Sequence, residues 1–211
     1  MRVRPGLVAA IVVAVGVAPF IAGCPPADEC QKKTNILENT KWTLVDPDAD
    51  PFTQDAAKLI EPTDGTYPPD DPGSGFPHND RVCQSGDVYS ESLDGDESLT
   101  INTNFCGWAT VEESLHTGFD KGDDFFARIF YFQQIAPGIA EAHLVCTVDG
   151  EPFYSKTIPL PAPSFLIAED FKAPFSAKAG AKLMWHLDNH GVNTWNLLEL
   201  SKVTPIPCPA E

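Results

Sequence analysis

From residue 81 onward, turn residues punctuate the chain roughly every ten positions, and this spacing constrains the fold more than any other feature. Segments 87–93 and 98–105 alternate apolar and polar residues around Asp94-Gly95-Asp96, a two-residue hairpin signal. Segment 108–115 is a weaker strand. Gly122-Asp123-Asp124 turns the chain into a long aromatic strand over 125–135, and Pro137-Gly138 leads to another at 139–148. Asp149-Gly150 is a second tight turn, followed by 153–158. Pro159, Pro161 and Pro163 are expected to interrupt pairing before strands at 165–172, 181–188 and 194–203. No segment has a sustained helical period. The expectation is an all-β chain, an antiparallel two-sheet β-sandwich, with the jelly roll as its form.

Upstream the pattern differs. A strand is expected at 40–45. Residues 46–80 then hold seven prolines, eight aspartates and three glycines, which is loop chemistry, with room for a short helix around 53–60. Residues 24–39 read as a tether, 40–204 as the sandwich domain and 205–211 as a C-terminal tail.

The first residues carry a targeting signal. Arg2 and Arg4 precede an uncharged apolar run over 7–22, too short for a membrane span and broken by Pro19. The run ends in Ile21-Ala22-Gly23-Cys24, which resembles the lipobox of bacterial lipoprotein signal peptides. That resemblance implies cleavage after Gly23 and acylation of Cys24. It implies a lipid-anchored protein of the bacterial cell envelope, at the outer membrane or cell surface. Removing residues 1–23, with two arginines and no acid, takes the net charge from −16 to −18. So acidic a chain is an improbable partner for nucleic acid.

Five cysteines remain after Cys24. An exported compartment permits disulfides, and an odd number leaves one thiol over. Cys146 lies on the apolar face of a strand beside Leu144 and Val148 and is the expected free one. Cys30–Cys208 would tie the domain's ends and Cys83–Cys106 would staple a strand pair, although spacing alone leaves other pairings open. No Cys-x-x-Cys pair suggests zinc.

Strand alternation suggests one sheet face collecting Arg128, Phe130, His143, His186, Asp188, Trp195 and Glu199. Aromatic rings beside charged hydrogen-bonding groups suit a sugar: C–H groups stack on the ring and hydroxyls pair with the charges. The competing reading makes these residues a second apolar layer with charges at strand ends. Asp46, Asp48 and Asp50 alternate like the start of a calcium loop and are the candidate ligands for a structural calcium ion, without the glycine and terminal glutamate of an EF-hand. Asp188-Asn189-His190-Gly191 reads as a turn, so the spacing of His186 and His190 loses its helical meaning. Glu112 and Glu113 adjoin on a strand and point to opposite faces, which makes them a poor acid/base pair. No nucleophile elbow, zinc-protease or phosphate-loop motif occurs, so no catalytic residue is assigned.

Asp149-Gly150-Glu151, Ala179-Gly180-Ala181-Lys182-Leu183 and Gly191-Val192-Asn193-Thr194-Trp195-Asn196-Leu197-Leu198-Glu199-Leu200 stand in an order similar to that of galactose-binding-like jelly rolls. These include many carbohydrate-binding modules. The resemblance covers about fifty residues with common residue types, and fold does not by itself assign function. The leading expectation is non-catalytic recognition of an extracellular glycan. The alternatives are an envelope protein that docks a protein partner through 46–80, and a hydrolase on the same sandwich.

Overall fold

Two Asp-Gly turns set the register of the sandwich. In the computed structural model, which describes residues 29–46, 48, 50–52, 82–136 and 138–208, Asp94 and Gly95 have φ of 53° and 91°. Asp149 and Gly150 have 50° and 83°. These left-handed pairs twist with the flanking strands, and aspartate and glycine tolerate them best. The first turn joins β3 (Val88–Leu93) to β4 (Asp96–Asn102), and the second joins β7 (Ala140–Val148) to β8 (Glu151–Leu160). The remaining strands are β1 (Glu29–Asn35), β2 (Thr43–Leu44), β5 (Trp108–Ser114), β6 (Asp124–Tyr131), β9 (Phe165–Lys172), β10 (Lys182–Asn189) and β11 (Thr194–Pro207).

All strand pairs between these elements are antiparallel. Sheet A runs β3-β4-β11-β6-β9, and sheet B runs β2-β5-β10-β7-β8. From β4 to β11 the chain therefore crosses between sheets at every step except the β7–β8 hairpin, the path of a jelly roll. The all-β, two-sheet expectation holds.

Three sequence boundaries need correction. Residues 29–35, assigned to the tether, form β1, which pairs with β11 from Asn35↔Ser201 to Glu29↔Pro207. For the same reason the C-terminal tail does not start at 205. Both ends have few apolar residues, but each supplies the other's backbone hydrogen bonds. The prolines at 159–163 do not all break pairing: β8 continues through Pro159 to Leu160. It is an edge strand, so a missing N–H on its solvent side costs no ladder bond. The signal segment, Cys24, the expected helix at 53–60 and most of the loop 46–80 lie outside the described residues.

The core fills the space between the sheets. β6 contributes Phe125, Ala127, Ile129 and Tyr131, and β10 contributes Leu183, Trp185 and Leu187. Cys146 is fully buried there as the free thiol, and desolvation raises its pKa far above the usual value. The Cys30–Cys208 and Cys83–Cys106 disulfides form. The sheets, both disulfides and this core cluster are all drawn from residues 29–208.

β11 carries a bulge between Leu197 and Glu199. Before it, Trp195 and Leu197 point inward, and after it Leu200 does. The bulge falls where β11 passes from β4 to β1 as neighbour. Asn39 fills the gap, its Nδ2 donating to the carbonyls of Glu97 (2.8 Å) and Leu198 (3.1 Å).

Candidate functional site

Register places four chemically apt side chains in one line across the outer face of sheet B. Trp108 pairs with Asp188, Asp188 with His143, and His143 with Thr157. Their strands β5, β10, β7 and β8 send the alternate residues Ala109, Leu187, Ala142 and Ile158 into the core, so these four face outward. At the usual strand spacing the line is about 14 Å long. It begins in an indole, passes a carboxylate and an imidazole, and ends in an exposed hydroxyl.

Each member is held. Trp108 follows the Cys83–Cys106 bridge by two residues, and its carbonyl accepts the Cys83 N–H at 2.8 Å. His143 Nδ1 shares a hydrogen bond with Thr157 Oγ1 at 3.3 Å, and its Nε2 is 3.7 Å from Glu141. His190 Nε2 lies 3.3 Å from Asp188 Oδ2. Burial lowers the pKa of His143 against the pull of Asp188 and Glu141, so its imidazole stays neutral further into acid than usual. Burial raises that of Asp188, but the His190 hydrogen bond and three nearby imidazoles outweigh it, leaving the carboxylate below its ordinary range.

Behind this line the face is roofed. Phe52 stacks on His186 at 4.5 Å between ring centroids and 12° between planes. It also packs against Val145, Met184 and Val45. The Phe52 N–H donates to Asp50 Oδ1 at 2.9 Å, and His186 Nδ1 bonds Thr110 Oγ1 at 2.7 Å. Desolvation holds the His186 pKa down. The strap carrying Asp50 and Phe52 thus covers His186, and the line lies between it and the loop end of the sandwich.

The seven residues expected on one face are divided. His143, His186 and Asp188 share the outer face of sheet B. Arg128, Phe130 and Glu199 lie on the opposite outer face, on sheet A. Trp195 is on neither: it is 2 % exposed in the core and packs on Tyr131 at 4.7 Å. The error has two physical causes. The bulge in β11 reverses the alternation that grouped Trp195 with Glu199. And β6 and β11 belong to a different sheet from β7 and β10.

The sheet A group is closed on itself. Arg128 pairs with Asp96 and sits 3.9 Å from Glu199. Phe130 stands edge-on to Phe132 at 4.9 Å. Beside them Glu91 Oε1 accepts from Thr100 (2.8 Å) and Asn196 (3.1 Å), and Asn196 Nδ2 also donates to Thr100 at 2.7 Å.

Asp46, Asp48 and Asp50 do not converge. Asp46 Oδ1 accepts the Asp48 N–H at 3.0 Å and Asp50 accepts that of Phe52, so these carboxylates cap successive backbone turns. Asp46 and Asp48 are exposed while Asp50 is buried. Among the described residues, no group of three His, Cys, Asp or Glu is placed to hold a metal ion. Glu112 and Glu113 do diverge: Glu112 pairs with Lys182 at 2.7 Å, and Glu113 turns inward to accept the Glu38 N–H at 3.0 Å.

Trp108, Thr157 and His190 were not expected at a site. The alternation Trp108, Thr110, Glu112 against Ala109, Val111, Glu113 carries the signal for Trp108, but only the pairing shows what lies beside it.

No protein-family model matches the chain, and no curated protein matches it. Among solved structures it is similar to a carbohydrate-binding module described for specific mannan recognition, with TM-score 0.44 and 9 % identity over 84 % of this chain and 99 % of that one. It is similar to CBM28, described as specific for non-crystalline cellulose, with TM-score 0.39 and 8 % identity over 55 % and 80 %. A family 29 carbohydrate-binding module matches with TM-score 0.36 and 14 % identity over 56 % and 74 %.

Proposed function

We propose that this chain is a non-catalytic glycan-binding module, exported and anchored to the bacterial envelope through acylated Cys24. The observation that carries the glycan reading is the line Trp108, Asp188, His143, Thr157 on the outer face of sheet B. An indole offers the flat face on which sugar C–H groups stack. A carboxylate held ionised accepts from hydroxyls, and a charge-assisted bond of this kind is stronger than a neutral one. A neutral imidazole donates from one nitrogen and accepts at the other, and the threonine hydroxyl does both. The strap ending in Phe52 excludes water along one side and limits how a chain of rings can lie.

The reading rests on binding rather than turnover. The carboxylates near the line, Asp188 and Glu141, each sit against an imidazole, and among the described residues the line holds no two carboxylates facing each other across a cleft. Lipid anchoring rests on the Ile21-Ala22-Gly23-Cys24 run.

Titration calorimetry of residues 29–211 against a panel of soluble polysaccharides tests the glycan reading. Binding that Trp108→Ala removes, with the melting transition retained, is the expected result. Absence of heat with every polysaccharide overturns it. Cys24→Ser tests the anchor: the unsubstituted chain should partition with membranes, and the variant should not.

A further inference from the structure

Past the start of β6, sheet A continues as a ribbon of two strands. β6 begins at Asp124, opposite Val203 of β11. From there β11 runs on to Pro207, and among the described residues its only ladder partner is β1, from Thr204↔Lys32 to Pro207↔Glu29. Gln31, Lys32, Thr204, Pro205 and Pro207 are exposed, and four residues carry the ribbon about 13 Å past the sheet. The Cys30–Cys208 disulfide closes its tip. A lone two-stranded ribbon is marginal in water, and a cross-link at the tip opposes its fraying.

The ribbon is not built to recruit another strand. The Ile36 N–H donates to the Leu200 carbonyl at 3.0 Å. Alternation therefore turns the even-numbered backbone groups of β11 toward β1 and the odd-numbered ones away. Beyond Val203 the odd positions are Pro205 and Pro207, so the open edge offers no N–H there. At the base, Lys33 Nζ lies 3.1 Å from the centre of the Phe126 ring, and Lys202 pairs with Asp123 at 2.5 Å. These contacts fix the ribbon to the sheet it extends.

Taking Cys24 as the lipid anchor, we infer that this ribbon is a stand-off that holds the sandwich away from a bilayer, with the Trp108 to Thr157 line at the far end. This rests on the anchor reading and not on the glycan reading. Glu29 lies five residues after Cys24, a reach of at most about 18 Å, so the ribbon tip stands nearest the membrane. Charge fits that placement. The ribbon carries Glu29, Lys32 and Lys33, while the whole chain is at −16 and is repelled by anionic headgroups. The Debye length at physiological salt is about 8 Å, so a ribbon of about 13 Å keeps carboxylates such as Asp94 and Asp149, in the turns at the near end, outside the strongest repulsion. Asp188 lies six residues along β10 from Lys182, about 20 Å farther out.

Energy transfer from the acylated full chain on phosphatidylcholine vesicles, with acceptor dye on the headgroups, tests the stand-off. Ser164→Cys places a donor dye in the loop after β8, at the far end, and Lys178→Cys places one in the loop after β9, at the near end. Both positions are exposed, and Cys146 is too buried to take the label. The expected result is transfer at least about twofold greater from position 178 than from 164, since strand length separates the two ends by about 20 Å. Equal transfer or the reverse order overturns the inference. Removing the tip disulfide with Cys30→Ser and Cys208→Ser should narrow the difference, and an unchanged difference also overturns it. Hydrogen exchange on residues 29–211 gives a second reading that needs no variant and no membrane. The Thr204 and Ile206 N–H groups, turned toward β1, should be protected, and exchange at the rate of an unfolded chain overturns a rigid stand-off. A full chain that stays in the supernatant overturns the anchor reading and the stand-off together, whereas equal transfer from a chain bound to vesicles overturns the stand-off alone.

Discussion

The two outer faces of the sandwich carry similar side chains and use them differently. On sheet A, Thr100 and Asn196 both donate to Glu91, Asn196 also donates to Thr100, and Arg128 lies between Asp96 and Glu199. On sheet B, Trp108, Asp188, His143 and Thr157 lie in line beside the Phe52 strap. The comparison teaches that polar residues on a strand are not a site by virtue of their type. What differs is exposure: Asn196 and Thr100 are fully buried, whereas Thr157 is exposed and Trp108 and Asp188 are half-buried, even though His143 bonds Thr157 and Asp188 pairs with His190. The first arrangement holds a fold, and the second suits a ligand.

Four substitutions break or sharpen this contrast. The largest effect falls on the closed face. Asn196→Ala removes the amide that Glu91 and Thr100 share, and Asn196 is fully buried. It should lower unfolding free energy by about 3 kcal/mol in urea titration while leaving glycan affinity unchanged. An equal loss of affinity would show that the two faces are coupled.

Trp108→Ala should do the reverse. Loss of a stacking indole should weaken glycan binding at least tenfold, about 1.4 kcal/mol, by calorimetry. Stability should fall by less than for Asn196→Ala, because Trp108 is outside the core cluster.

The third effect is on pH dependence. His143 and His186 have folded pKa values below their unfolded value, so the unfolded chain binds more protons in acid. Stability is therefore greatest above about pH 6.5 and falls as pH drops toward the folded values, by at most about 1.4 kcal/mol per pH unit for each histidine. His143→Gln should flatten the slope of melting temperature between about pH 7 and 5, the range where an unperturbed histidine begins to take up its proton. Asp188 runs the same way at lower pH: its depressed pKa gives stability that is present above the unfolded value and lost below it.

Arg128→Met should matter least. Its ion pairs are partly exposed, with the Asp96 side chain 54 % accessible, so the expected change is below about 1 kcal/mol. Unchanged glycan binding would separate the sheet A group from the site, and a loss would join them.

Much of the fold was legible in the residues. The Asp-Gly hairpins and the strands from 87 onward follow from local rules: few residues but aspartate and glycine fit a left-handed turn, and alternation reports a buried face, whereas the two disulfides, expected as one pairing among several, needed the fold to decide them. β1 was hidden because Glu29–Asn35 is mostly polar and its partner strand is its opposite in the sequence. Within the site, the shared face of His143, His186 and Asp188 was legible from strand alternation.

From residue 87 onward, sequence alone determined the strand segments, the turns that separate them and the side of each strand that is apolar, because these depend on residues a few positions apart. Tertiary structure decided which strands share a sheet, because antiparallel pairing joins segments far apart in the chain. It set the bulge in β11, where the change of neighbour from β4 to β1 sends Trp195 into the core and Glu199 outward. And it aligned Trp108 with Asp188 and His143, a line no local pattern encodes, since each member is ordinary until register places it beside the next.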